Sequence, residues 1–281
     1  MSNYINDKET NKLISGIVST RVRLRHPSYA SLMVTDKGNL LGIVGTSSKV
    51  RKTIDGLDVL AAVSYLSPST TAGLGINTCP MAGSCKDGEC LTSSGRLPLH
   101  KDYQVLKTRA FFGYPREFLG QMIREIKVAA FKAYLEGKVL FMRLNGTSDI
   151  RWEKYLDLDK LTEETQGLGG FYDYTKFPLS SRLPSAGYHL TYSVDEQDVS
   201  LSRAGEYRRA GYPIAVVSTK EDHKWLTGQD NVTDGDVTDF RWLDTGVVVL
   251  KAKKLVKGKS KGYKKAGRGL VRTARQILEL I

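Results

Sequence analysis

Residues 139–149 read VLFMRLNGTSD, an apolar stretch that ends in a cluster of small polar residues. Comparable stretches follow it along the chain: GGFYDYTK (169–176), YHLTYSVD (188–195), PIAVVST (213–219) and GVVVLKA (246–252). Short apolar runs of this kind are typical of parallel strands that are buried on both faces. Several gaps between them, such as 195–211, are long enough for a helix. The sequence therefore predicts an α/β fold, a partial TIM-barrel-like sheet built from βα repeats.

The segments upstream of this stretch follow two other patterns. Residues 115–137 place apolar side chains three or four apart, which predicts a helix that stops at Gly137. Residues 16–45 alternate apolar and polar residues between turn sequences, which predicts strands. We therefore predict three regions: an N-terminal β-meander in 1–54, the βα-barrel-like domain in 55–255, and a basic helical arm in 256–281.

The charge of the chain is concentrated at its C-terminal end. The net charge is +12, yet residues 251–281 hold eleven Lys and Arg against one acidic residue, Glu279. A basic segment binds phosphates with little regard to base sequence. We therefore predict nucleic acid as a partner, DNA or RNA, although a solvated last helix is the alternative. The predicted contact residues are Lys253, Lys254, Lys257, Lys259, Lys261, Lys264, Lys265 and Arg268.

Membrane association is not expected from the composition. No run of about eighteen apolar residues occurs, and the N-terminus MSNYINDKET is polar. We therefore expect a cytoplasmic protein with no membrane partner. The oligomeric state stays open.

The three cysteines of the chain lie together in a Gly-rich segment, GLGINTCPMAGSCKDGECLTSSGR (73–96). Thiolates are the ligands that zinc and iron–sulfur clusters prefer, so Cys79, Cys85 and Cys90 are predicted metal ligands. The cofactor is either a 4Fe–4S cluster, with one iron left open, or zinc, for which His100 is the nearest fourth ligand. Buried structural thiols and a redox pair are the alternatives.

Polar residues follow each predicted strand, and in a βα-barrel the chemistry lies at the carboxyl ends of the strands. The polar end of the first stretch supplies Arg143, Asn145 and Asp149 as candidate catalytic residues. The polar end of the second stretch, GGFYDYTK, supplies Lys176, as a cation that binds phosphate or as a proton carrier. The alternative is that these residues only begin loops.

A dense acidic segment, DNVTDGDVTDFRWLD (230–244), precedes the last predicted strand. Its carboxylates could hold a hard cation such as Mg²⁺, so Asp234, Asp236 and Asp239 form a possible second site. Turn formation and ion pairs with Arg241 are the alternative.

Five motifs in this order resemble the gene 88 protein family of phages and mobile elements: NTCPMAGSC (77–85), CLTSSGR (90–96), RLNGTSD (143–149), FYDYTK (171–176) and DGDVTDFRWLD (234–244). The resemblance covers residues 55–255 and implies a phage setting. The order of an early cysteine loop, a polar strand end at 145–149 and a Tyr-Thr-Lys strand end at 174–176 is also similar to that of radical SAM proteins, which implies a 4Fe–4S cluster and S-adenosylmethionine. Here the cysteine spacing, Cys-x5-Cys-x4-Cys, differs from the usual Cys-x3-Cys-x2-Cys.

Three functions are consistent with these features. The first is a metal-dependent enzyme that modifies nucleic acid or nucleotides. The predicted barrel fold and the cysteine loop favour this function. The second is a non-catalytic DNA- or RNA-binding accessory protein in which the metal is structural. The third is an inhibitor whose basic arm meets an acidic host protein.

Overall fold

In the part of the chain that the structure describes, the strands form one curved sheet with helices between them. The computed structural model describes residues 40–42, 58–83, 85, 90, 100–194, 201–252 and 271–281. The strands are β1 (Leu41–Gly42), β2 (Val59–Ser64), β3 (Val139–Arg143), β4 (Leu168–Thr175), β5 (Tyr188–Ser193), β6 (Ile214–Ser218), β7 (Val232–Asp234), β8 (Val247–Lys251) and β9 (Val271–Arg272). The helices are α1 (Lys101–Gly113), α2 (Pro115–Leu135), α3 (Leu158–Glu163), α4 (Ser202–Arg209), α5 (Lys220–Leu226) and α6 (Ala274–Leu278).

The strand order confirms the predicted fold class. Within the described part of the chain the order is β1-β2-β3-β4-β5-β6-β8-β7, with β9 also paired to β6. Every pairing from β2 onward is parallel, and only β1 runs antiparallel to its neighbour. The sheet is a curled half-barrel. The five apolar stretches of the sequence form β3, β4, β5, β6 and β8.

The sheet departs from sequential order at one end. β8 lies between β6 and β7, so β7 is an edge strand although it precedes β8 in sequence. A strand has two edges, and β8 occupies one edge of β6, so β5 and β9 share the other. β5 pairs with the start of β6, at Ile214, and β9 pairs with its end, at Ser218.

The main core lies between the sheet and the helices. Leu140 and Met142 of β3 contribute to it, together with Phe118 and Met122 of α2. The predicted helix 115–137 is confirmed as α2, and Gly137 follows it with a φ of +70°, a conformation that glycine adopts without strain. Two apolar side chains near the end of α2, Phe131 and Tyr134, point away from this core and are about half exposed.

A smaller core covers the concave face of the sheet. Phe141 and Tyr172 point to this face and pack edge-to-face against Phe240, which comes from the segment between β7 and β8. Trp242 of the same segment crosses Gly170, where a β-carbon would lie 2.4 Å from the indole ring. Glycine at this position therefore lets the segment close over the concave face.

The first described residues are tied to the helices by buried polar groups. The amides of Leu40 and Leu41 donate to the Glu125 carboxylate, and the Lys107 ammonium donates to the carbonyl of Leu40 at 3.1 Å. Burial lowers the pKa of Lys107 to about 8. The rest of the predicted N-terminal meander lies outside the described residues. Among the described residues, no helix combines the length and the apolar character that a membrane crossing requires.

Candidate active site

The cysteine loop begins directly after β2 and is anchored on both sides. The amide of Ser67 donates to Thr108 of α1 at 2.7 Å, which fixes the start of the loop. The amide of Asp149 donates to the carbonyl of Thr78 at 2.9 Å, and the amide of Gly146 donates to the carbonyl of Ser64. The loop after β2 and the loop after β3 are therefore joined at the carboxyl edge of the sheet.

Cys79 lies at this junction in a site built from backbone groups. The amide of Ser69 points at its Sγ at 3.4 Å, and the Sγ lies 3.6 Å from the carbonyl oxygen of Thr147. Ser69 has a φ of +50°, a conformation that costs a non-glycine residue energy. Burial raises the pKa of Cys79 to about 11, against the opposing effects of the Ser69 amide and the Thr78 hydroxyl.

The other two cysteines meet the same edge. Cys85 is hydrogen-bonded to Cys90, and this bond together with burial raises the pKa of Cys85 far above its ordinary value. The charge of Lys176, which follows β4, acts on Cys85 in the opposite direction, and the charge of Asp149 raises the pKa of Cys79. The structure thus brings Cys79, Cys85, Asp149 and Lys176 into one neighbourhood.

The three thiols are not arranged as a closed zinc site. A tetrahedral zinc with bonds of about 2.3 Å holds its sulfur ligands about 3.8 Å apart. Within the described ranges, the only group of three metal-ligating side chains whose ligand atoms all lie within 4.8 Å of one another is His223, Asp234 and Asp236. His100, the predicted fourth zinc ligand, is an exposed residue at the start of α1.

Asp149 and Lys176 are joined directly. The amide of Lys176 donates to Asp149 Oδ2 at 2.9 Å, and the Lys176 ammonium reaches the carbonyl of Ser193 at the end of β5 at 3.3 Å. Arg182 holds the other oxygen of Asp149 at 3.3 Å and contacts Thr175 Oγ1 at 2.7 Å. Burial raises the pKa of Asp149, while Arg182 and the Lys176 amide oppose the shift.

Asn145 is the organising residue of the loop after β3. Its Oδ1 accepts hydrogen bonds from Ser148, Ile150 and Trp152, and its Nδ2 donates to the carbonyl of Ile150 and to Asp173. It is 2% exposed. Both polar atoms of its side chain are used inside the protein, so the geometry gives Asn145 the task of shaping the loop that carries Asp149.

Asp173, Arg182 and Tyr188 belong to this network and were missed by the sequence analysis. Asp173 lies in β4 and accepts from the Asn145 amide at 2.7 Å and from Tyr188 at 2.8 Å. Strand alternation places Asp173 on the same face as the buried Phe171. A carboxylate on the buried face of a strand was therefore a readable signal, whereas nothing in the sequence around Arg182 marks it.

Stability is expected to depend on pH through Asp173. Burial raises the pKa of Asp173 to about 7, although the Asn145 amide, Arg143, Tyr188 and Arg182 favour its charged form. In the unfolded chain an Asp titrates near about 3.9, so between these pH values the folded protein binds the extra proton. The free energy of unfolding therefore falls as pH rises through this window, by at most about 1.4 kcal/mol per pH unit from this group.

Urea unfolding of the wild type and of Asp173→Asn between pH 4 and 8 tests this dependence. The difference in stability between the two proteins should change across the window and stay flat above it. The exposed Asp230→Asn variant is the matched control and should follow the wild type. Parallel profiles for wild type and Asp173→Asn would show that Asp173 does not titrate there.

Arg143 faces the opposite side of the sheet from the Asp173 network. Its guanidinium lies over the ring of Tyr174, 4.8 Å from the centroid. Burial opposes the charged form of Arg143, but Tyr174, Asp239 and Tyr172 outweigh it and raise its pKa. Arg143 and Asp239 thus meet on the concave face, apart from the thiols and from the other predicted acidic residues.

The acidic segment divides in two. Asp234 ends β7 and Asp236 follows it, and both meet His223 of α5, whereas Asp239 lies near Arg143. Arg241 pairs with Asp244 at 2.5 Å. This part of the segment therefore forms an ion pair with Arg241, which was the alternative to a cation site. The eight basic residues predicted to bind nucleic acid, 253–268, lie outside the described residues.

Comparison with known proteins gives a family and no closer relative. A family profile described as Gene product 88 matches residues 40–273, a wider range than the motifs span. Searches of curated proteins and of solved structures gave no match.

Proposed function

The chain belongs to the Gene product 88 family, and we propose that it is an enzyme of a phage-encoded kind in which Cys79, Cys85 and Cys90 hold a metal centre. The observation that carries this proposal is the convergence of these thiols with Asp149 and Lys176 at the carboxyl edge of a half-barrel. Folds of this class place their chemistry at this edge.

The protonation of the thiols favours a metal centre over a thiolate nucleophile. Reactive cysteines have lowered pKa values, because nearby positive charge stabilises the thiolate. Here the pKa values of Cys79 and Cys85 are raised. A bound cation would supply the missing positive charge, and the Ser69 amide already points at Cys79 Sγ as outer-shell donors do.

The three thiols do not fit one zinc ion as they stand, and a 4Fe–4S cluster would require the hydrogen-bonded Cys85 and Cys90 to separate so that each binds its own iron. One zinc ion needs all of its sulfur ligands close together, whereas in a 4Fe–4S cluster each cysteine binds a different iron. Three cysteines leave one iron open, and that position is where a ligand such as S-adenosylmethionine would bind. The described thiols do not form the tight three-ligand group that zinc would need.

The chain's own residues at this edge suit a phosphate-bearing substrate. The Lys176 ammonium can contact a phosphate oxygen, and Asp149 has a raised pKa, so it can hold or move a proton beside that substrate. Nucleic acid or a nucleotide is the substrate class that we propose, because the basic segment 253–268 favours a polyanion. The setting would be the host cytoplasm.

Anaerobic purification followed by a UV–visible spectrum and analysis for iron, zinc and sulfide tests the metal centre. We expect brown protein with iron and sulfide in the wild type and complete loss of both in Cys79→Ala. Asp230→Asn is the matched control and should keep the colour, because Asp230 is an exposed residue outside the cysteine loop.

The other outcomes are equally informative. Colourless protein with one zinc that is lost in Cys79→Ala would support a structural site and a nucleic-acid-binding role. Protein that contains neither metal, with a Cys85–Cys90 disulfide by mass spectrometry, would overturn the metal centre and identify a dithiol pair, which the Cys85–Cys90 hydrogen bond also allows.

A further inference from the structure

A second group of ligating side chains lies at the same edge of the sheet, at its β7 end. His223 Nε2 lies 3.2 Å from Asp234 Oδ1 and 3.5 Å from Asp236 Oδ2. The three ligand atoms all lie within 4.8 Å of one another. His223 comes from α5, which follows β6, whereas the two carboxylates come from the end of β7.

The Nε2 of His223 lies close to both carboxylates without forming a hydrogen bond to them. His223 is 1% exposed, and its Nε2 is a buried nitrogen with no hydrogen-bond partner. A buried nitrogen without a hydrogen-bond partner is destabilising unless something else satisfies it. A cation held between the three ligand atoms would give this nitrogen a partner.

Backbone amides hold both carboxylates in place. The amide of Asp236 donates to Asp234 Oδ1 at 2.9 Å, and the amide of Lys251 donates to Asp236 Oδ2 at 2.8 Å. Such outer contacts orient metal ligands before a metal binds. The side chains of Asp234 and Asp236 keep 30% and 19% of their exposure, so the group is closed on the His223 side and open on the carboxylate side.

We propose that His223, Asp234 and Asp236 form a binding site for a divalent transition metal, which is separate from the cysteine centre. One imidazole nitrogen and two carboxylate oxygens suit Mn²⁺, Fe²⁺ or Zn²⁺ better than Mg²⁺, which takes oxygen ligands alone. Three protein ligands leave coordination positions open toward solvent, as in catalytic metal sites. The open positions would take water or an oxygen of a phosphate group.

Mn²⁺ is the probe for the test, because it binds nitrogen and oxygen ligands and has little affinity for thiolates. The loss of the free Mn²⁺ signal in electron paramagnetic resonance reports binding to the full chain. We expect one Mn²⁺ per chain for the wild type. His223→Gln and Asp236→Asn should each weaken binding by at least about tenfold.

Two controls separate this site from its surroundings and from the proposed enzyme. Asp230→Asn removes an exposed carboxylate of the same segment and should bind Mn²⁺ like the wild type. Cys79→Ala should also bind like the wild type, so this site can stand even where the cysteine centre fails. Circular dichroism and thermal unfolding of each variant establish that it is folded.

Three results would overturn the proposal. They are Mn²⁺ binding that is absent in the wild type, binding that His223→Gln leaves unchanged, and binding that is lost equally in Asp230→Asn. If His223→Gln does not fold, Asp236→Asn alone decides, because Asp236 is partly exposed and its replacement removes one ligand oxygen. If the wild type binds no Mn²⁺ and added Zn²⁺ does not raise its melting temperature, the three residues hold no divalent metal.

Discussion

Replacing Arg182 with methionine is expected to lower the free energy of unfolding by about 3–5 kcal/mol. Arg182 is 3% exposed, and its guanidinium donates to Glu153 at 2.7 and 3.1 Å and to Tyr188 at 2.9 Å. The same group contacts Asp149 and Thr175. Methionine fills a similar volume but leaves two buried carboxylates without their cation. Removal of one partner from a buried ion pair is costly for this reason.

Urea unfolding measures the loss, and the chain offers two comparisons. Arg182→Lys keeps the charge but cannot form the same fork of hydrogen bonds, so it should lose an intermediate amount. Arg151 is a matched control, since it lies half-buried over the ring of Phe177 and makes one long contact of 3.5 Å to Ser181. Arg151→Met should change stability by about 0.5 kcal/mol or less.

A double-mutant cycle measures the coupling between Arg182 and Glu153 separately from the other contacts of Arg182. If Arg182→Met is combined with Glu153→Gln, the two losses should not add, because the second change removes a charge that the first leaves unpaired. A loss below about 1 kcal/mol for Arg182→Met, or strict additivity with Glu153→Gln, would contradict a buried pair of this strength.

The strands and the longest helix were predictable because their signals are local. Buried parallel strands give apolar runs, and α2 gives apolar residues three or four apart, whatever the rest of the chain does. The pattern does not predict burial of every apolar residue on the helix, because Phe131 and Tyr134 are exposed. Periodicity places both on one face of α2, but it cannot tell how far the sheet extends beneath that face.

The proximity of the cysteine loop to Asp149 was also within reach of the sequence. Both segments follow parallel strands, and the carboxyl ends of parallel strands meet at one edge. The sequence did not reveal that the side chain of Asn145 forms hydrogen bonds within its own loop, to Trp152 among others. It also did not reveal that Arg182, which follows β4 in the chain, contacts Asp149. These contacts depend on the folding of two loops against each other, for which no local pattern exists.

The meeting of His223 with Asp234 and Asp236 could not have been read from the sequence. It follows from the insertion of β8 between β6 and β7, which places α5 against β8 and beside the end of β7. In sequential strand order β7 would lie beside β6 instead. The acidic segment alone predicts a possible metal site. The contact of Asp234 and Asp236 with His223, and their separation from Asp239, depend on this non-sequential strand order.

Replacing the eight basic residues of 253–268 with glutamine is expected to weaken binding to nucleic acid on the order of 10³-fold near physiological salt. Residues 251–281 carry a net charge of +10, whereas the other 250 residues carry +2. Each phosphate neutralised by a Lys or Arg releases a counterion, so the logarithm of the affinity falls with the logarithm of salt concentration by about 0.9 per contact on duplex DNA. The variant should therefore lose both affinity and salt dependence.

Fluorescence anisotropy with a labelled duplex and a labelled single strand, over a range of salt concentrations, measures both quantities. The matched control replaces eight exposed basic residues of the helical regions with glutamine: Lys101, Arg116, Arg124, Lys132, Lys160, Arg209, Lys220 and Lys224. The control removes the same formal charge, so a loss confined to the 253–268 variant assigns the phosphate contacts to that segment. Equal losses would show that binding follows net charge alone, and an unchanged affinity would remove nucleic acid as the partner of the basic segment.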